Sequence, residues 1–122
     1  MRLDLPLTVP IGKKSFSLNF NIYRNTHYAV LAKAKSNYKL LIKTPKNISF
    51  NRVRLEYTLF TKTKRRLDIS NVCCVVDKFI CDILVERGIL KDDSYDIVIE
   101  VVYRYGGVDK DRPRCELLIV EV

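Results

Sequence analysis

Asn71-Val72-Cys73-Cys74-Val75-Val76-Asp77-Lys78-Phe79-Ile80-Cys81-Asp82-Ile83-Leu84-Val85-Glu86-Arg87 is the stretch whose reading decides the fold. Val72, Val75, Val76, Phe79, Ile80, Ile83 and Leu84 recur at helical spacing on one broad apolar face, which predicts a helix over 71–87. Asp68 or Ser70 can cap its start, and Gly88 stands where a C′ glycine belongs. At 100° per residue, Asn71, Lys78 and Asp82 fall within about 40° of one another on the opposite face. Asp77 lies about 100° round from Lys78, on the border of the apolar face.

Upstream of this helix, Phe50 to Phe60 alternates as a strand does. Val53, Leu55, Tyr57 and Leu59 point one way, and Arg52, Arg54, Glu56 and Thr58 the other. His27 to Ile42 repeats apolar residues at helical spacing (Tyr28, Leu31, Ala32, Ala34, Tyr38, Leu41), with Pro45 closing the segment. Leu3–Val9 and Ser15–Phe20 read as strands joined at Pro10-Ile11-Gly12. Downstream, Ile97–Tyr103 reads as a strand, Gly106-Gly107 and Pro113 bracket a turn, and Cys115–Val120 returns as its hairpin partner. The expected order is β-β-α-β-α-β-β: an α+β fold of one domain spanning 1–122, with helices packed on a mostly antiparallel mixed sheet.

The 122 residues suffice for one core, 48% of them being apolar and 10% aromatic. With 30% charged residues, four Gly and four Pro, disordered and collagen-like classes are excluded. No apolar run reaches membrane-span length, and Asp4 intrudes where a secretory leader would be apolar, so a soluble cytoplasmic protein is expected. Cys73, Cys74, Cys81 and Cys115 form no C-x-x-C pair, which argues against a zinc site and a disulfide framework; Cys73 and Cys74 read as small core residues. His27 is the one histidine, too few for a His-based metal centre.

Charge is unevenly distributed. Residues 1–67 carry 15 Lys/Arg against two acids, a net of +13, whereas residues 68–122 carry 7 against 12, a net of −5. A basic half of this kind commonly meets a polyanion, nucleic acid above all. The densest run is Lys62-Thr63-Lys64-Arg65-Arg66, and the acids that follow stand at junctions: Asp68 where this run enters the helix, Asp92-Asp93 where the helix exit loop enters the next strand. A loop over Gly88–Lys91 that folds back along the helix's polar face would bring Asp93 toward Lys78. Carboxylates gathered in that way suit Mg²⁺, a hard ion held by one or two carboxylates, waters and substrate phosphate. The ion and a lysine stabilise charge on a scissile phosphate, while a basic rim holds the DNA backbone. Singly, each acid has a structural reading: Asp68 as an N-cap, Asp82 in an i,i+4 pair with Lys78, and Asp92-Asp93 as a turn.

Arg65-Arg66-Leu67-Asp68-Ile69-Ser70-Asn71, Lys78-Phe79-Ile80-Cys81-Asp82-Ile83-Leu84 and Gly88-Ile89-Leu90-Lys91-Asp92-Asp93 together resemble the RusA family of Holliday-junction resolvases of phages and prophages. That family has a basic run, Asp-x-Asp-Asn, a helix with Lys-x-x-x-Asp-x-Leu, then a Gly and an Asp-Asp pair opening a strand. Asn21-Ile22-Tyr23-Arg24-Asn25 is similar to its opening segment, and the likeness covers most of the chain. Two departures stand out: Ser70 replaces the family's second aspartate, and the stretch from Asp68 to Lys78 is about four residues longer, close to one helical turn.

The resemblance implies a homodimeric, Mg²⁺-dependent endodeoxyribonuclease (Mn²⁺ as substitute) that resolves four-way DNA junctions by paired symmetric nicks. It assigns catalysis to Asp68, Lys78 and Asp93 and metal binding to Asp68, Asp92 and Asp93, with Asp77 as the nearest acid to replace the lost one. The expected DNA contacts are Lys13, Lys14, Arg24, Lys62, Lys64, Arg65, Arg66, Asn71 and Lys78. The alternatives are a catalytically inactive DNA-binding protein of the same fold, which Ser70 favours, and a small RNA-binding module. The second lacks the exposed aromatic sheet motif of such modules, Tyr57 reading as core.

Overall fold

The alternation expected over 50–60 is realised from Val53 onward in the computed structural model, which describes all of residues 1–122; Phe50 stands apart in a bridge to Leu90. The strand β4 (Val53–Thr61) buries Val53, Leu55, Tyr57, Leu59 and Thr61 while the intervening residues stay half-exposed. It is central: β6 (Arg114–Glu121) pairs with it antiparallel on one side and β5 (Val98–Val108) parallel on the other. β1 (Arg2–Leu5) adds antiparallel to β6, giving the order β1-β6-β4-β5. A separate hairpin joins β2 (Thr8–Ile11) to β3 (Lys14–Ser17). The helices are α1 (Phe20–Arg24), α2 (Tyr28–Leu41) and α3 (Ile69–Glu86). The architecture is α+β with a mixed sheet, as the patterning predicts, and no helix is long and apolar enough to cross a membrane.

α3 carries the chain from β4 to its parallel neighbour, the crossover that parallel pairing demands. It buries Val72, Cys73, Val75, Val76, Phe79, Ile80, Cys81, Ile83 and Leu84, so its apolar face is the predicted one. Its C-terminus closes as a Schellman motif: Gly88 adopts φ +73°, its N–H donates to the Val85 carbonyl, and the Ile89 N–H donates to that of Leu84. The Phe79 ring lies against Phe16 (6.1 Å between centroids), Tyr23 (6.4 Å) and Tyr38 (5.5 Å), with the Lys35 ammonium 5.9 Å from its centre. One aromatic side chain thus joins the hairpin, α1 and α2 to α3 within a core of 26 buried residues.

Three local expectations are corrected. Cys115–Val120 is not a hairpin partner of Ile97–Tyr103: β6 passes the end of β4 and inserts between β4 and β1. Asp109–Pro113 makes that crossing, the Asp109 N–H donating to the Thr61 carbonyl (2.8 Å) and Arg114 pairing with Asp109. Gly106 and Gly107 therefore lie inside β5, where a Cβ at Gly106 would come within 2.6 Å of the Phe60 ring and Gly107 takes φ +121° beside a register shift. Leu3–Val9 is two strands, divided at Pro6-Leu7. Ser15–Phe20 stops at Ser17, because the Asn19 side chain accepts from the N–H groups of Asn21 and Ile22 and starts α1 at Phe20.

Replacing Phe79 with Ala should cost about 3–5 kcal/mol, and with Leu clearly less, as measured by urea denaturation. A loss under about 1 kcal/mol for the alanine variant would contradict its role as the shared contact of these elements.

Candidate nucleic-acid interface and acidic site

The turn from β4 into α3 is built by threonines. The Thr61 hydroxyl donates to the Thr63 carbonyl (3.0 Å), and the Thr63 hydroxyl accepts from the Arg65 N–H (3.3 Å). These bonds set the basic run 62–66 in a defined loop whose cations form no ion pair. On the α1 side the loop borders an open cleft of about 680 Å³ lined by Asn19, Asn21, Arg65, Arg66, Leu67, Asp68 and Asn71. Asp68 occupies the N-cap position of α3, yet its carboxylate makes no capping bond and no ion pair. The N-cap reading of Asp68 therefore holds for its backbone alone, and its oxygens are open to a cation or to solvent.

Asp77 is placed differently. Its Oδ1 accepts from the Tyr57 hydroxyl (2.5 Å) and the Cys81 thiol (3.2 Å), and its Oδ2 from the Tyr103 hydroxyl (3.4 Å). Burial, followed by the neighbouring Cys81 and Asp77, holds the Tyr57 phenol well above its ordinary value. Burial and then Asp77 raise Tyr103 in the same way. Cys81 is pushed up by burial first, then by Asp77, with a smaller contribution from Asp93.

Asp92 and Asp93 are exposed, and the Asp93 N–H donates to the Asp92 carboxylate (2.8 Å), the turn geometry their structural reading describes. Ile89 and Leu90 are buried, and the Phe50 N–H, just ahead of β4, donates to the Ile89 carbonyl (2.9 Å), because two apolar residues after Gly88 seek the core. Asp93 follows them, near enough to α3 for its charge to act on Cys81. Asp82 pairs with Lys35 of α2 (3.6 Å) and not with Lys78, which is exposed and unpaired.

The loop and cleft thus bring together Lys64, Arg65, Arg66, Asp68 and Asn71. Asp77 lies nine residues beyond Asp68, about 14 Å along the axis. No three His, Cys, Asp or Glu side chains stand together in metal-binding geometry. Lys13 and Lys14 sit at the turn of the β2–β3 hairpin, and Arg24 lies over the Phe20 ring at 6.0 Å. Asn19, Tyr103 and Tyr105 belong to these surroundings and escape sequence reading; for Asn19 the signal was there, an Asn before a helical turn. A scan against protein-family models finds no match, and neither does a search of curated proteins.

The tyrosine pair has a consequence for pH. The folded chain holds Tyr57 and Tyr103 protonated above the ordinary phenol value of about 10, so beyond that pH the unfolded chain sheds protons that the folded one keeps. Stability should therefore fall as pH rises from about 9 to about 11, seen as a falling urea midpoint, and Tyr57→Phe should flatten the fall. A wild-type midpoint constant across that range would contradict this.

Proposed function

We propose that this chain is a Mg²⁺-dependent, structure-selective endodeoxyribonuclease that resolves four-way DNA junctions as a homodimer, in recombination or repair. The observation that carries the reading is Asp68: an unengaged carboxylate in an open cleft whose other charged residues, Arg65 and Arg66, are unpaired cations. The carboxylate attracts a metal ion and the free cations attract the phosphate backbone that the carboxylate alone would repel. The resemblance of the Lys78–Asp93 stretch to RusA resolvases supplies the reaction class.

In this reading Arg65 and Arg66 hold the DNA backbone on either side of the cleft and Asn71 donates to a phosphate or sugar oxygen. Asp68 holds the ion together with substrate phosphate, a sparse shell of the kind Mg²⁺ accepts. The ion, when bound, stabilises charge on the scissile phosphate and lowers the pKa of the attacking water. Lys78 stands on the same helix as Asn71, about two turns along it, and is free to meet the phosphate chain. Asp77 lies about 14 Å from Asp68 along α3 and is engaged by Tyr57, Cys81 and Tyr103, so its part in metal binding, like that of Asp92 and Asp93, is tested separately from that of Asp68. That separation favours a second reading, a junction-binding protein of the same kind that does not cut, in which Ser70 marks the missing ligand.

Incubation with a synthetic four-way junction and a matched duplex, in Mg²⁺, Mn²⁺ or EDTA, separates the two. Paired nicks in the junction alone, abolished by EDTA and by Asp68→Asn, are expected; Asp77→Asn and Asp93→Asn then report whether either acid assists. Junction binding without nicks in either metal would establish the second reading. In both, doubling the alanine substitutions at Arg65 and Arg66 should reduce the salt slope of binding by about two.

A further inference from the structure

The basic loop has a second side. Facing β5, it borders a recess of about 350 Å³ lined by Lys64, Arg65, Arg66, Leu67, Ile69 and Tyr105. The rim is cationic and the remainder apolar or aromatic, whereas in the cleft around Asp68 Leu67 is the one apolar residue. Tyr105 is 50% exposed and Leu67 46%, so apolar surface stands open to solvent directly beside unpaired cations. Tyr105 makes no ring–ring contact with another aromatic of the chain.

The ring is nevertheless anchored. Its hydroxyl lies 2.8 Å from the Thr61 hydroxyl, whose single proton goes to the Thr63 carbonyl, so Tyr105 is the donor and Thr61 accepts. Thr61 is buried at the end of β4, and Tyr105 sits opposite Leu59 in the β4–β5 ladder. One hydroxyl pair therefore fixes the tyrosine ring against the same loop that carries the cations. A ring held in this way loses little conformational entropy when a flat partner is laid on it.

We infer that this recess takes one unpaired nucleotide of a DNA strand, its base stacked on Tyr105 beside Leu67 and its phosphate held by Lys64, Arg65 and Arg66. A positively charged track combined with an aromatic platform is how single strands are held without sequence preference, because every base has a π-face. At about 350 Å³ the recess lies at the small end of ligand sites, suited to a single nucleotide and closed to a paired one whose base is stacked in a duplex. The inference rests on the reading of the loop as DNA-facing and is independent of cleavage. It would give the protein a reason to prefer branch points, where bases are more easily unpaired than in continuous duplex.

The probe is a short single-stranded oligodeoxynucleotide carrying 2-aminopurine, titrated with the full chain in EDTA, beside the same sequence as a duplex. Quenching of the probe on binding is expected, with the single strand bound more tightly than the duplex. Tyr105→Ala should weaken single-strand binding by about five- to hundredfold and remove the quench, while the salt slope stays unchanged. Tyr105→Phe, which keeps the ring and loses the bond to Thr61, should retain the quench; its melting curve and that of the alanine variant check the fold. Wild-type affinity and quench in Tyr105→Ala, or equal affinity for single strand and duplex, would overturn the nucleotide recess and leave the DNA reading of the loop standing. Binding to none of single strand, duplex or junction would overturn both.

Discussion

The elements outside the main sheet meet around one aromatic ring. Phe79 of α3 contacts Phe16 of the hairpin, Tyr23 of α1 and Tyr38 of α2, and so gives those elements a shared contact with the layer that covers the sheet. The geometry is varied, stacked with Phe16 (10° between planes) and edge-on to Tyr38 (83°), so the ring satisfies partners arriving from several directions. The hairpin and α1 are too short to stand alone, and α2 buries only Ala34 and Tyr38. Their placement, and with it the position of Asn19 and Asn21 beside Asp68, follows from α3.

α3 acts as a ruler for the chemistry. Its rise separates Asp68 from Asp77, and its Schellman turn sends Ile89 and Leu90 into the core ahead of Asp92 and Asp93. Much of this frame was legible in the residues. β4 and α3 were, because each buries a strictly periodic face, and so was Gly88, because a positive φ at C′ is a local demand. Asp77 on the margin of the apolar face was legible as well, from helical arithmetic. What the pattern concealed is long-range. Nothing local in Cys115–Val120 says that it passes the adjacent strand to lie between β4 and β1. Likewise nothing local after Gly88 says that Ile89 and Leu90 meet Phe50, some 40 residues earlier in the chain. Tyr57 reads correctly as core, but that its hydroxyl ends on Asp77 depends on a pairing 20 residues apart.

The face of the sheet turned away from the helices is managed by charge. Glu56 accepts from Arg54 and Arg104, and Glu116 from Arg2 and Arg114, so ion pairs run across β1, β6, β4 and β5 in a band. Arg114 also covers the Phe60 ring at 4.3 Å and reaches Asp109. These arginines are matched to acids, whereas the cations of the loop 62–66 are left unmatched. The four loop cations thereby stay available to a polyanion at the entrance of α3.

The strand order has a further consequence, for the timing of folding. β6 is the last of the six strands, yet it lies inside the sheet, pairing Leu117 with Leu3 on one side and with Tyr57 on the other. During synthesis β1 is made first and waits for its neighbour through more than a hundred residues, since Arg2 pairs with Leu118. Until then β4 has only its parallel partner, and an apolar edge stays uncovered. A sheet completed from the middle by its last strand has a high contact order, folds slowly for its size, and exposes its centre to wrong pairing while it waits.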